Sequence, residues 1–180
     1  MRVTPIDDAA YVGPDSNAGP AGDLHRPSAL RIRLTVSSAT PRRIRVRIPE
    51  WCSAAPMTSG ALPSEIEGGA LVMAHDGGGE RRIDIALPWE LRTVPIQDEP
   101  DTVAFLEGPV VLAGLVDHEI ALRGETASAQ DLLRADDERH WSQWRSRYRT
   151  VGQPRSIRFR PLHEVTDEQY AVYFPITRNR

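Results

Sequence analysis

Strict two-residue alternation constrains this chain more than any other feature. In Arg43–Trp51, R-I-R-V-R-I-P-E-W, the apolar Ile44, Val46 and Ile48 alternate with Arg43, Arg45 and Arg47. Successive Cβ atoms of a strand project to opposite sides, so the aliphatic residues share one face and the arginines the other. One face is then buried and the other wet, as in an antiparallel sheet with one solvated side. Pro49 has no N–H to continue a ladder, so the strand is expected to stop there, with Trp51 and Cys52 packing at its exit.

The same period recurs along the chain. Leu30, Ile32, Leu34 and Val36 alternate with Arg31, Arg33, Thr35 and Ser37. The short link Ser38–Arg42, containing Pro41, predicts a hairpin that sets these two strands side by side. The stretch from Cys52 to Glu67 reads as loop, Ala70–Met73 as a short strand and His75–Glu80 as a turn. Three glycines in that turn do not make a phosphate loop, since no Lys-Ser/Thr pair or helix follows. Arg82–Leu87 alternates again and is closed by Pro88; Leu91–Ile96 is a further short strand. Gln97–Asp101 reads as a corner between sheets or domains. Thr102–Leu106 and the doubly apolar Val110–Val116 follow, with a kink or bulge expected at Gly108-Pro109.

From Ser128 to Tyr148 the period changes. Ser128 and Asp131 resemble a helix-capping pair, and Trp141, Trp144 and Tyr148 at i, i+3 and i+7 share one helical face. Ser156–Arg160, with Ile157 and Phe159 inward, and Tyr170–Ile176 return to strand character. The expected fold is all-β: a tandem or two-layer antiparallel β-sandwich, jelly-roll-like, with a short helical insertion around 128–148. Residues 1–27 are read as an extended lead-in, 28–100 as a first sandwich and 101–180 as a second.

Composition narrows the function classes. The 180 residues suffice for one or two small cores, and a net charge of −3 gives no electrostatic reason to expect nucleic acid. No apolar run approaches the ~18 residues of a membrane span, so no membrane partner is expected. Residues 1–27 lack the apolar core of a secretory signal, which predicts a cytoplasmic chain or one cut away from whatever preceded it. All 22 basic residues are arginine, read as codon bias rather than as a ligand signal. A single cysteine, Cys52, excludes an intrachain disulfide and any multi-thiolate zinc site built from this chain alone.

The chemistry-bearing residues form no recognisable machinery. Asp98, Glu99 and Asp101 cluster beside Pro100; paired carboxylates serve glycoside hydrolysis, but here they read as a solvated corner. Glu107 flanks a buried strand, and a structural hydrogen bond is the favoured reading over chemistry. His25, His75, His118, His140 and His163 never fall at metal-helix spacing, Asp117-His118-Glu119 would need ligands from elsewhere, and no G-x-S-x-G elbow is present. Cys52 reads as a small buried hydrophobe. Trp141 and Trp144 are weighed as a sugar-stacking platform, with Glu107 as a further carbohydrate contact, against the commoner role of a helical aromatic stripe in packing. No catalytic residue, metal or cofactor is assigned.

Four stretches, taken in order, resemble the C-terminal part of glycoside hydrolase family 127, the β-L-arabinofuranosidase-like proteins. They are R-I-R-V-R-I-P-E-W-C at Arg43–Cys52, I-D-I-A-L-P at Ile83–Pro88, V-A-F-L-E-G-P-V-V-L-A-G at Val103–Gly114, and F-R-P-L-H-E-V-T-D-E-Q-Y-A-V-Y-F at Phe159–Phe174. The third is the most specific, matching a V-A-x-x-x-G-P-x-V-x-A-G hallmark. The resemblance implies an (α/α)6 barrel first and β-sandwich domains after it. The cysteine nucleophile, glutamate acid/base and zinc site that it implies all lie in that barrel, so Cys52 does not inherit the nucleophile's role. The chain departs from the family at Met57–Gly60, where a Val-Asn-Gly hairpin is usual, and at Ala74–Gly79, where an aromatic-rich turn is usual.

The resemblance implies a non-catalytic portion of such a glycosidase, bracing a barrel or mediating subunit contacts, with arabinose-containing plant-type or bacterial glycan as the associated substrate. The barrel partner is expected either in the same protein or as a separate chain. The alternative is a free-standing carbohydrate-binding or protein-interaction module.

Overall fold

The computed structural model describes residues 2–5, 29–60, 62–125, 128–136 and 147–178. It is an all-β sandwich fold, as the alternation predicts. The chain divides into two compact units, Met1–Trp89 and Glu90–Arg180.

In the first unit the strands are β1 (Arg2–Pro5), β2 (Ala29–Ser38), β3 (Arg42–Arg47), β4 (Met57–Gly60), β5 (Ser64–Glu67), β6 (Ala70–His75) and β7 (Gly79–Pro88). They form two antiparallel sheets, β1-β2-β7-β4 and β3-β6-β5. Inward side chains of both sheets build one core from Leu34, Val36, Met73, Ile83, Ile85 and their neighbours, with Ile44 and Val46 packed against it. The arginines of β3 stay wet, as the alternation requires; Arg43 and Arg45 reach across the sheet to Glu67.

The expected hairpin is corrected here. β2 pairs with β7 along its whole length, from Ala29 opposite Pro88 to Ser38 opposite Gly79, while β3 pairs with β6. The link after Ser38 therefore passes from one sheet to the other, and the apolar faces of β2 and β3 oppose each other across the core instead of lying side by side. Two features fix this corner. The Ser38 hydroxyl donates to the Thr40 carbonyl at 2.7 Å and closes the link on itself. The second sheet-switching connection, from β6 to β7, lies directly against it: a Cβ on Gly77 would sit 2.8 Å from the Thr40 carbonyl carbon, and Gly77 has φ of +87°. Only a residue without a side chain lets the two corners stack.

Other expectations shift for local reasons. The lead-in begins with β1, recruited by the open edge of β2. The stretch read as loop contains β4 and β5, edge strands whose polar sequences carry no clear alternation. The prolines that end β3 and β7 do bring Trp51 and Trp89 together, with ring centroids 6.2 Å apart, because the Ser53 N–H donates to the Pro88 carbonyl.

The second unit contains β8 (Leu91–Ile96), β9 (Glu99–Glu107), β10 (Val110–Gly114), β11 (Leu122–Arg123), the four-residue helix α1 (Ala129–Leu132), β12 (Leu133–Ala135), β13 (Tyr148–Thr150), β14 (Arg158–Pro161) and β15 (Tyr173–Thr177). The strand order is β11-β15-β9-β10-β14-β13-β12, with β8 also on β9. β8 occupies one edge of β9 from Glu99 to Glu107. On the opposite edge β10 takes the 105–107 end and β15 the 102–104 end. This fork lets the strands surround a single core of Val103, Phe105, Leu112, Leu122, Phe159 and Phe174. Phe105, Phe159 and Phe174 pack at centroid distances of 5.1 to 6.3 Å.

Gln97 and Asp98 form the turn of the β8–β9 hairpin, because β8 is fully paired with β9, and both strands lie in the unit Glu90–Arg180. Gly108-Pro109 is likewise a hairpin turn, with Glu107 opposite Val110. Within the expected helical insertion the described residues form one α-helix, α1, and Ser128 makes no side-chain cap; residues 137–146 lie outside the described residues. Tyr148 lies on β13 opposite Ala135 and Phe159, so it belongs to no helical stripe. Strand pairing of Leu133–Ala135 takes the backbone out of the helix after one turn. No helix among the described residues is long and apolar enough to cross a membrane.

Candidate functional site

Among the described residues the first unit is closed on one side and open on the other. Between β4 and β5, Leu62 enters the core and the Thr58 and Ser64 hydroxyls meet at 3.1 Å. Between β2 and β3 the two layers leave a cleft of about 710 Å³. Its walls are Ile32, Leu34, Val36 and Ile85 from one sheet and Ile44 and Val46 from the other, with Ser37, Arg43 and Arg45 also on its lining. Leu34, Val36 and Ile85 are buried, whereas Ile32, Ile44 and Val46 remain half-exposed because nothing among the described residues covers them. Ser38 and Arg42 stand at the corner end. A volume of this order is that of a small-molecule site, and an apolar lining with a few convergent polar groups is the usual composition.

The corner beside the cleft is rigid. His75 is buried at the end of β6, with Nε2 3.0 Å from the Gly79 carbonyl and Nδ1 2.9 Å from the Gly77 N–H. A carbonyl only accepts, so Nε2 carries the proton and Nδ1 accepts: both partners dictate one neutral tautomer. Next to it the Asp76 carboxyl is held below its ordinary pKa by the Gly78 N–H, with Arg81 assisting. On the outer face of β2, Arg33 and Asp84 form a bidentate pair at 2.7 Å that raises the Arg33 pKa further. The two residues stand directly opposite in the β2–β7 register.

The residues singled out from sequence scatter. Glu107 ends β9 on the core side, 7% exposed, and accepts a hydrogen bond from the Tyr148 hydroxyl at 2.5 Å. That is the structural bond favoured from sequence; a sugar hydroxyl would have to displace Tyr148. Trp141, Trp144, His25 and His140 lie outside the described residues. Asp98, Glu99 and Asp101 are exposed at the β8–β9 turn, where Glu99 accepts from the Thr102 hydroxyl. Asp117 is held below its ordinary pKa by its own backbone N–H and by His118, and it also faces Arg155 at 3.5 Å. The Cys52 thiol donates to the Ala54 carbonyl at 3.1 Å, beside the first core. Among the described residues no three His, Cys, Asp or Glu side chains are grouped to hold a metal ion.

The cleft escaped the sequence reading because β2 and β3 were expected to be hydrogen-bonded neighbours. Two strands in one sheet enclose nothing between them; two strands in opposed sheets do. Comparison with protein-family models and with characterised proteins found no match for the chain.

Proposed function

We propose that this chain is a non-catalytic β-sandwich portion of a β-L-arabinofuranosidase-like glycoside hydrolase, acting in the cytoplasm to brace an (α/α)6 barrel of the same or a separate chain. One observation carries the reading. Two stretches that resemble the family, Val103–Gly114 and Phe159–Phe174, meet in one packed cluster, where a Cβ on Gly114 would approach Phe174 to 2.5 Å and Phe159 to 2.9 Å. Phe105, from the same hallmark as Gly114, completes the cluster. The stretches that resemble the family thus meet in packing, which is what an architectural domain requires, and Glu107, at a variable position of the hallmark, is spent on Tyr148.

The purified full chain is expected to leave 4-nitrophenyl β-L-arabinofuranoside intact and to co-elute on size exclusion with a separately expressed (α/α)6 barrel of the family. Turnover by the chain alone, or failure of the two to associate, overturns the proposal.

A further inference from the structure

We propose that the cleft between β2 and β3 binds a linear aliphatic carboxylate. The argument rests on how its lining is ordered. β2 runs toward the corner and β3 away from it, so inward side chains are ranked by distance from that corner. Ser38 and Arg42 come first, Val36 and Ile44 next, then Leu34 and Val46, with Ile32 beyond. The site has a polar, cationic end and a mainly aliphatic body, which Ser37, Arg43 and Arg45 also border. At ~3.3 Å per residue the distance from Ser38 to Ile32 is about 20 Å, room for a long alkyl chain laid along the strands.

The charge at the head end is positive and available. Arg43 and Arg45 are committed to Glu67, whereas Arg42 is exposed and makes no ion pair among the described residues. A guanidinium pairs a carboxylate through two parallel N–H···O bonds and repels an ammonium head. An alkyl chain has no polar group to satisfy and covers the half-exposed faces of Ile32, Ile44 and Val46.

The test is calorimetric titration of the full chain with dodecanoate below its micellar concentration, with shorter carboxylates and dodecyltrimethylammonium alongside. Dodecanoate is expected to bind at one saturable site, with affinity falling by up to roughly fourfold for each methylene removed from the chain. The ammonium, and dodecanoate with the Arg42→Gln variant, are each expected to bind about tenfold more weakly. Arg42 is exposed, so its replacement leaves the fold intact, and amide shifts on binding should be confined to 32–38 and 42–46. Absence of saturable binding, equal affinity for the ammonium, indifference to Arg42→Gln, or shifts centred elsewhere would each overturn the assignment.

Discussion

The His75 imidazole donates from Nε2 to the carbonyl of Gly79 and in doing so clamps the turn that carries the chain from one sheet to the other. Its second nitrogen accepts from Gly77, the residue on which the other sheet-switching link rests. One buried ring therefore holds both the middle of the three-residue link Asp76–Gly78 and the start of β7, at the mouth of the cleft. His75→Phe keeps the bulk and leaves a donor and an acceptor unpaired, and each unpaired buried group costs about 1–3 kcal/mol. A loss near 2 kcal/mol is expected in urea unfolding, and nitrogen-15 NMR of the wild type should report the Nε2–H tautomer. A loss below 0.5 kcal/mol would show that the corner holds without the ring.

Asp76 gives the same corner a pH dependence. Its carboxyl pKa is lowered in the folded chain by the Gly78 N–H, so the unfolded state binds its proton more readily. The resulting stability is present above the unfolded aspartate pKa and is lost as pH falls through the lower folded value. Asp76→Ala should therefore be less stable than wild type at pH 7, and the two should converge in strong acid. Urea unfolding at several pH values measures this; a gap that stays constant with pH would contradict it.

In the second unit, Gly114→Ala should be among the most damaging small substitutions. The added methyl would meet Phe174 at 2.5 Å and Phe159 at 2.9 and 3.0 Å, rigid rings in a packed core. Overpacking of this kind costs about 1–3 kcal/mol, and more where rings cannot move aside. Loss of near-ultraviolet dichroism together with a lowered unfolding midpoint is expected.

Tyr148→Phe isolates the bond to Glu107. The variant leaves a carboxylate buried without this donor, which costs about 1–3 kcal/mol. Replacing both partners, Tyr148→Phe with Glu107→Leu, removes the unpaired group as well and should recover part of the loss. A double-mutant cycle by urea unfolding gives the coupling; additive effects would mean that the bond contributes nothing to stability.

Much of each core was legible in advance. Leu34, Val36, Ile83, Ile85, Ile157 and Phe159 are inward as their spacing requires, and the prolines at 49 and 88 mark strand exits. The Glu107 bond was legible only in part. A carboxylate beside a buried strand suggested a fixed partner, but Tyr148 lies 41 positions away and its aromatic neighbours in sequence suggested a helix. β5 left no trace, because S-E-I-E is fully exposed and an edge strand needs no apolar face.

What the sequence determined alone was which face of each strand is buried, since side-chain direction follows from the two-residue period whatever the neighbours are. What only the tertiary structure decided was which strands are neighbours. Backbone hydrogen bonding is the same for every residue but proline, so the matching patterns of β2 and β3 fit a hairpin as well as they fit two opposed sheets. The choice was made by contacts remote in sequence: the ten-residue register of β2 with β7, and the close approach of Gly77 to Thr40. The cleft exists because of that choice.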